Sequence, residues 1–448
     1  MIFEELKTKF INKSANIGVI GLGYVGLPLA LELAEVGFKV YGIDVDVNKI
    51  NKLFKGHSYI QDIPSCKIKE SIVEKNFFPT NDQSIIRKLN AIIICVPTPL
   101  TVNNEPDTTY ITSAIYYIKK FMHEDLLIVL ESTTYPGTTE DIIQKGIEEL
   151  GYVVGENCFL CYSPERVDPG NLKYNTKNTP KILGGTTKKC EALGMLLYES
   201  FIDEVIPVSS PKIAEMSKLI ENTFRSVNIA FINEMAVLAE KLKIDIWETI
   251  EAAATKPFGF MKFLPGPGIG GHCIPLDPMY LSWKAKESNF ISKFIELAYE
   301  TNKNMPKYIH DNISKALIEY GKIIKGSKIL LLGIAYKADI DDLRESPGIE
   351  LYELLKKSGA LIDFNDPHVI EFEDKEGRLL ISKPLNYDLF NHYDCVVLIT
   401  DHSEYNCELI FRNTKFIVDT RNFFKNYRSK KIFKFGSVFH EIKEKTKQ

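Results

Sequence analysis

The 448-residue chain predicts an α/β fold in which two doubly wound parallel sheets are joined by a long central helix. Three observations carry that expectation. A short apolar strand near the N-terminus runs into a glycine-rich turn and then a periodic apolar segment. From Pro211 to about Glu251, apolar residues recur at helical spacing with no interior glycine or proline. A second strand-and-turn pattern begins near residue 326. The expected domains are residues 1–205, 206–310 and 311–448.

The first element is Asn16-Ile17-Gly18-Val19-Ile20-Gly21-Leu22-Gly23-Tyr24-Val25-Gly26, followed by the apolar run Leu27 to Val36. A strand, three spaced glycines and an opening helix make a Rossmann-like dinucleotide fingerprint, because a pyrophosphate can sit on unpaired N–H groups at the helix N-terminus. Gly21, Gly23, Tyr24, Val25 and Gly26 are therefore candidate cofactor residues. The next strand, Lys39 to Ile43, ends at Asp44, at the distance expected for the acid that bonds the ribose hydroxyls. Asp44 favours NAD over NADP, with Lys49 as a nearby opposing charge.

Continuous apolar runs at Ala91 to Val96, Leu126 to Leu130 and Cys158 to Tyr162 read as buried parallel strands. Ligands of open α/β sheets bind beyond the carboxyl ends of strands, so Thr98 and Thr133 are candidate cofactor contacts. Capping of the following helix or turn is an equal alternative for both hydroxyls. On the long helix, Ile213, Met216, Leu219, Ile220, Phe224, Val227 and Phe231 define an apolar face and a candidate subunit contact. Lys218 and Asn222 stand four apart and share a face.

The stretch Gly266-Pro267-Gly268-Ile269-Gly270-Gly271-His272-Cys273-Ile274-Pro275-Leu276-Asp277-Pro278 puts one thiol in a glycine-rich loop with a carboxylate four residues on. A thiolate can form a covalent adduct with a carbonyl, and a nearby carboxylate can handle water or protons. Further on, the strand Lys328 to Gly333 leads into Tyr336-Lys337, and Asp341 to Pro347 contains Arg344. Later strands are expected at Ala360 to Phe364, Cys395 to Thr400 and Phe416 to Asp419. This half lacks the triple-glycine turn, so it suits another phosphate-bearing ligand, with Lys337 and Arg421 as candidate cationic contacts.

Charged residues make up 25% of the chain and nearly cancel, to a net charge of −4, so no strong field draws it to nucleic acid or to a membrane. No apolar run is long enough to span a bilayer, and the acidic N-terminus is unlike a secretory signal, which predicts a cytoplasmic location. The 8 cysteines are scattered and give no disulfide framework. Cys158 and Cys161 have zinc-like spacing but no accompanying second pair, so no metal is expected.

Taken together, these motifs resemble the UDP-glucose/GDP-mannose dehydrogenase family over nearly the whole chain. The features are the G-L-G-Y-V-G turn, Val96-Pro97-Thr98-Pro99, Ser163-Pro164-Glu165-Arg166, Lys218-Leu219-Ile220-Glu221-Asn222, the G-G-H-C loop with Asp277, and Tyr336-Lys337 before Arg344. The segment Ala253 to Met261 is most similar to the branch that oxidises UDP-N-acetylglucosamine. Pro169 stands where the glucose branch often has a second glutamate.

The resemblance implies two Rossmann-like domains, a homodimer or higher homo-oligomer packed through the long helix, and four-electron oxidation of a UDP-sugar at C6 with NAD, for surface polysaccharide precursors. It implies Cys273 as the nucleophile, Lys218 and Asn222, with a water held by Asp277, at the reacting alcohol, Thr133 as a further catalytic residue, and Glu165 and Asp277 as the carboxylates that activate water. Arg344 matches a cofactor-facing position. Arg166, Leu264, Gly266, Gly268, Gly270, Tyr336, Lys337 and Arg421 match positions that hold the nucleotide sugar, together with Glu165, Lys218 and Asn222. UDP-N-acetylmannosamine and UDP-glucose are alternative substrates. A two-electron β-hydroxyacid-type dehydrogenase would share the first domain but needs no thiol, and a non-enzymatic NAD-binding module would need none of the chemical residues.

Overall fold

The computed structural model describes residues 1–60, 63–101, 103, 105–167, 171 and 173–437. Pro169 lies outside the described residues. The chain is α/β throughout and divides into two compact units, Met1–Glu221 with Met279–Phe290, and Asn222–Pro278 with the residues from Ile291 onward.

The first unit is a Rossmann-like sheet of β1 (Asn16–Ile20), β2 (Lys39–Ile43), β3 (Phe77–Thr80), β4 (Ala91–Ile94), β5 (Leu126–Leu130), β6 (Cys158–Tyr162), β7 (Lys181–Gly185) and β8 (Val205–Val208). Their order is β3-β2-β1-β4-β5-β6-β7-β8. All neighbours are parallel except β6 and β7, which pair antiparallel with Tyr162 opposite Gly184. Every residue of β4, β5 and β6 is buried, as continuous apolar strands covered on both faces should be. The N-terminal helix Ile2–Ile11 buries Leu6 and Phe10 in the same core.

The second unit carries a smaller sheet of β9 (Lys328–Leu332), β10 (Leu361–Asn365), β13 (Cys395–Leu398), β14 (Ile417–Asp419) and β15 (Ile432–Lys434), with a separate hairpin of β11 (Glu371–Glu373) and β12 (Leu379–Ile381). The order β10-β9-β13-β14-β15 is wholly parallel, with the topological switch at β9. The helix Pro347–Lys357 starts from Ser346, whose Oγ accepts the Gly348 N–H at 3.1 Å, and has proline in its first turn, where no N–H partner is lost. Its core combines helical and strand residues, including Trp247, Ile309, Ile313, Phe364 and Phe416.

The long helix spans Pro211–Leu242 and stops short of the expected Glu251. Lys243 takes a left-handed φ of 58°, and Asp245 then caps a new helix, Ile246–Ala254, by accepting the N–H groups of Trp247 (2.9 Å) and Glu248 (3.1 Å). On the expected apolar face Leu219 is buried and Met216 and Val227 are half-buried. Ile213, Ile220, Phe224 and Phe231 are exposed, while Ala214, Glu215, Lys218, Leu219, Asn222, Ser226 and Asn233 are buried. No helix among the described residues is long and apolar enough to cross a membrane.

Candidate active site

In the first unit, β1 delivers the glycine turn and each glycine has a separate reason. Gly21 sits at φ +91°, and a Cβ there would lie 2.6 Å from the Cys95 carbonyl oxygen. At Gly26 a Cβ would lie 1.9 Å from the Gly21 oxygen, so only glycine lets the helix Gly26–Glu35 start so close to the strand. At Gly23 a Cβ would meet nothing within 4 Å, which leaves open space beside a helix N-terminus that no side chain caps. That space and those donors fit a pyrophosphate.

Asp44, at the end of β2, is buried and accepts the Leu22 N–H at 2.9 Å and the Asp46 N–H at 2.9 Å, with Lys49 Nζ 3.6 Å away. The carboxylate thus pins the glycine turn and still has lone pairs for ribose hydroxyls. Thr98 is buried. In the loop after β5, Ser132 bonds the Val96 carbonyl and Thr134 bonds Thr138, which leaves Thr133 half-buried. The helix residue Glu215 fixes this loop by accepting from the N–H groups of Gly137 and Thr139 and from the Thr139 hydroxyl.

After β6, Glu165 folds back so that its Oε1 accepts the N–H groups of Arg166 and Val167, both at 2.7 Å. Lys181 lies 3.4 Å from Oε2 of Glu165 and 3.2 Å from Oε1 of Glu131. Tyr198 donates its hydroxyl to Glu131, and the Cys95 thiol lies 4.0 Å from the same carboxylate. Burial pushes Glu131 above its ordinary value although Lys181 opposes it. Burial would raise Glu165 too, but Lys181, the two backbone donors and Lys218 outweigh it and hold that carboxyl below its ordinary value. Lys218 is itself buried. Arg166 points elsewhere, to Glu221 (2.9 Å) and to the Pro180 carbonyl (2.7 Å). The sequence reading missed Glu131, Lys181 and Tyr198, which the sheet gathers from separate strands and a helix.

In the second unit, Cys273 is exposed at the first residue of the helix Cys273–Glu287, so the thiol belongs to a helix start and not to the loop itself. One turn later Asp277 is buried and accepts a hydrogen bond from the Asn222 side chain. The glycine-rich loop before Cys273 packs on the residues expected to hold a nucleotide. A Cβ at Gly266 would lie 2.6 Å from the Arg421 guanidinium, one at Gly270 2.4 Å from Tyr336, and one at Gly271 2.8 Å from the Tyr336 ring. The Gly271 N–H donates to the Arg344 carbonyl at 2.8 Å, while the Arg344 guanidinium forks onto Asp342, which raises it above its ordinary value. Arg421 Nε donates to the Ile399 carbonyl at 2.8 Å. Gly268 packs on Pro347, Leu264 is exposed, and Tyr336 and Lys337 are half-buried.

Three consecutive segments match family models of the UDP-glucose/GDP-mannose dehydrogenases: the NAD binding domain over residues 15–202, the central domain over 212–304 and the UDP binding domain over 330–426. The chain belongs to the UDP-glucose/GDP-mannose dehydrogenase family. A UDP-N-acetyl-D-mannosamine dehydrogenase of Methanococcus maripaludis is 35% identical over 396 residues, 87% of each chain. A UDP-N-acetyl-D-glucosamine 6-dehydrogenase of Pseudomonas aeruginosa is 33% identical and covers 88% of this chain and 92% of its own. The solved UDP-D-ManNAc dehydrogenase of Pyrococcus horikoshii superposes with a TM-score of 0.85 at 32% identity, over 94% of this chain and 99% of the other. The protein is an NAD-dependent UDP-sugar dehydrogenase.

Within this dehydrogenase, Gly21, Gly23, Tyr24, Val25, Gly26, Asp44, Lys49, Thr98, Thr133, Glu165, Arg166 and Lys218 all fall in the first unit. Asn222, Leu264, Gly266, Gly268, Gly270, Cys273, Asp277, Tyr336, Lys337, Arg344 and Arg421 fall in the second. Cys158 and Cys161 are both buried, and burial pushes the Cys158 thiol up to about 12.

Proposed function

We propose that this dehydrogenase oxidises the C6 hydroxyl of a UDP-2-acetamido-hexose to the carboxylate, with UDP-N-acetyl-D-glucosamine as the substrate. The observation that carries the four-electron reading is the exposed thiol of Cys273 at a helix start with a buried carboxylate, Asp277, one turn behind it. Removal of one hydride from an alcohol has no use for a thiol, whereas a thiol can hold the resulting aldehyde covalently for its own oxidation.

NAD, when bound at the Gly21–Gly26 turn, supplies the hydride-accepting chemistry. Lys218 is the cation for the oxygen that loses its proton, and Asn222 a neutral donor to the same atom. Cys273 adds through sulfur to the aldehyde carbon, giving a thiohemiacetal. Loss of the second hydride leaves a thioester, and the positive end of the Cys273–Glu287 helix favours the anionic sulfur that departs on hydrolysis. Asp277 and Glu165 are the carboxylates to take the proton of the attacking water. For each sugar, two hydrides leave, one water supplies the second carboxylate oxygen and three protons are released.

Cofactor choice follows from Asp44, whose carboxylate repels a 2′-phosphate. The exposed residues Ile213, Ile220, Phe224 and Phe231 are where a second copy of the chain would pack, and a monomeric mass in light scattering would refute that dimer.

The gluco epimer rests on the similarity of Ala253 to Met261. The manno epimer is the second reading, because the Methanococcus relative and the Pyrococcus structure carry that name. Steady-state kcat/KM with UDP-N-acetylglucosamine, its manno and galacto epimers and UDP-glucose tests the assignment. A lead for an epimer transfers it to that sugar, and a lead for UDP-glucose rejects the acetamido class. A site with a buried partner for the acetamido group would leave it unpaired with glucose, so discrimination should be large.

A further inference from the structure

Away from these residues, three loops at the carboxyl ends of β9, β10 and β13 bring together Asp339, His368, His402 and Glu404. One side-chain donor atom of each lies within 4.8 Å of all the others. His368 Nε2 is 3.2 Å from Oε1 of Glu404 and 3.9 Å from Oδ1 of Asp339. Yet this ring nitrogen is buried and makes no hydrogen bond among the described residues. A carboxylate that simply paired with the imidazole would accept such a bond.

His402 has a different part. Its Nδ1 accepts the Asp339 N–H at 3.0 Å and its Nε2 faces the buried carboxylate of Asp366 at 3.0 Å. Both ring nitrogens are therefore used, and the residue is a post that holds Asp339 in place. Asp366 in turn accepts N–H groups from Ile334, Ala335, His368 and Val369, which ties the loops after β9 and β10 to one carboxylate. Three donors remain for a ligand: a carboxylate, an imidazole and a second carboxylate.

We propose that Asp339, His368 and Glu404 bind one divalent transition-metal ion of the zinc class, with water completing its sphere. Metal bonds of about 2.1 Å in tetrahedral arrangement set ligand atoms about 3.4 Å apart, and the distances of 3.2 and 3.9 Å bracket that value. A mixed nitrogen and oxygen set suits zinc, cobalt and manganese better than magnesium or calcium, which prefer oxygen alone. The Asp339 loop also carries Tyr336 and Lys337, so the ion would staple that loop to its neighbours at the switch point of the sheet.

The test uses the full chain, freed of metal with a chelator and titrated with Co²⁺, followed by calorimetric titration with Zn²⁺. One equivalent should bind, with visible d–d bands and no thiolate-to-cobalt charge transfer. His368→Gln and Glu404→Gln should each weaken binding by about tenfold or more, while Cys273→Ser and His392→Gln leave it unchanged. Glu404 is half exposed, so its variant decides the matter should His368→Gln fail to fold. Failure of either metal to bind, undiminished binding in both glutamine variants, or a thiolate band that Cys273→Ser removes would each overturn the site.

Discussion

A Cβ added at Gly23 meets nothing within 4 Å, whereas the same addition at Gly266, Gly270 or Gly271 lands 2.6, 2.4 or 2.8 Å from Arg421 or Tyr336. Both turns read in sequence as places where backbone approaches a ligand. In the first, the missing side chain leaves room for one. In the second, the missing side chains let the loop press against the protein's own arginine and tyrosine, fixing the side chains that are proposed to meet the nucleotide sugar. Glycine density alone does not tell a ligand cradle from a packing seam; what lies opposite each Cβ does.

The contrast can be broken most sharply at the end of the second loop. Cys273→Ala should reduce uronate formation to background while NAD affinity, measured by fluorescence titration, stays at its original value, if the two turns serve separate ligands as proposed. Sustained turnover by that variant would remove the covalent step. Next come the glycines themselves. Gly270→Ala should lower stability by about 1–3 kcal/mol through its clash with Tyr336. Gly23→Ala should keep the melting temperature and raise the NAD dissociation constant. Equal melting losses in the two variants would erase the distinction.

A smaller effect is expected behind the first site. Glu165 is held low, so its ionised form contributes stability above the ordinary carboxylate range that is lost as pH falls through its folded value. Glu131 is pushed up, so ionising it is the costly state, and that cost fades as pH falls. Lys181→Met removes the charge both carboxylates share and should move the acidic limb of the kcat/KM profile to higher pH. An unmoved limb would mean that Glu165 does not titrate in the rate. Smallest is Asp44→Ser, which should narrow the preference for NAD over NADP in initial rates, and native use of both cofactors would contradict the reading of Asp44.

Much of the first sheet was legible, because β1, β2, β4, β5 and β6 are apolar runs next to recognisable turns. Less visible were β3 and β8, each short and interrupted by a proline, Pro79 and Pro207. The break after Leu242 was missed because neither glycine nor proline marks it, although Asp245 followed by Glu248 is a capping signal. On the long helix, spacing identified an apolar face and a candidate subunit contact, of which Leu219 is buried and Ile213, Ile220, Phe224 and Phe231 are exposed; it did not show that the polar Glu215, Ser226 and Asn233 are buried. The Glu131, Lys181 and Tyr198 group could not be read at all, since its members are far apart in sequence and meet only through strand pairing and the helix Lys188–Tyr198 packed on the sheet. The same holds for Asp339, His368 and Glu404, which three loops bring together.

The antiparallel pairing of β6 and β7 has a topological consequence. Tyr162 stands opposite Gly184, and continuing that count past the end of β6 sets residue 165 opposite residue 181. The Ser163 hydroxyl bonds the Ile182 carbonyl and Arg166 bonds the Pro180 carbonyl, along the same extension. Had β7 run parallel to β6, its first residue would lie at the opposite rim of the sheet, about one five-residue strand or ~17 Å away. The reversal of direction at β7, which β8 keeps, therefore turns an entry point of the chain into a supplier of charge for the rim that carries Glu165, a position that strands parallel to β6 can fill only from their exits.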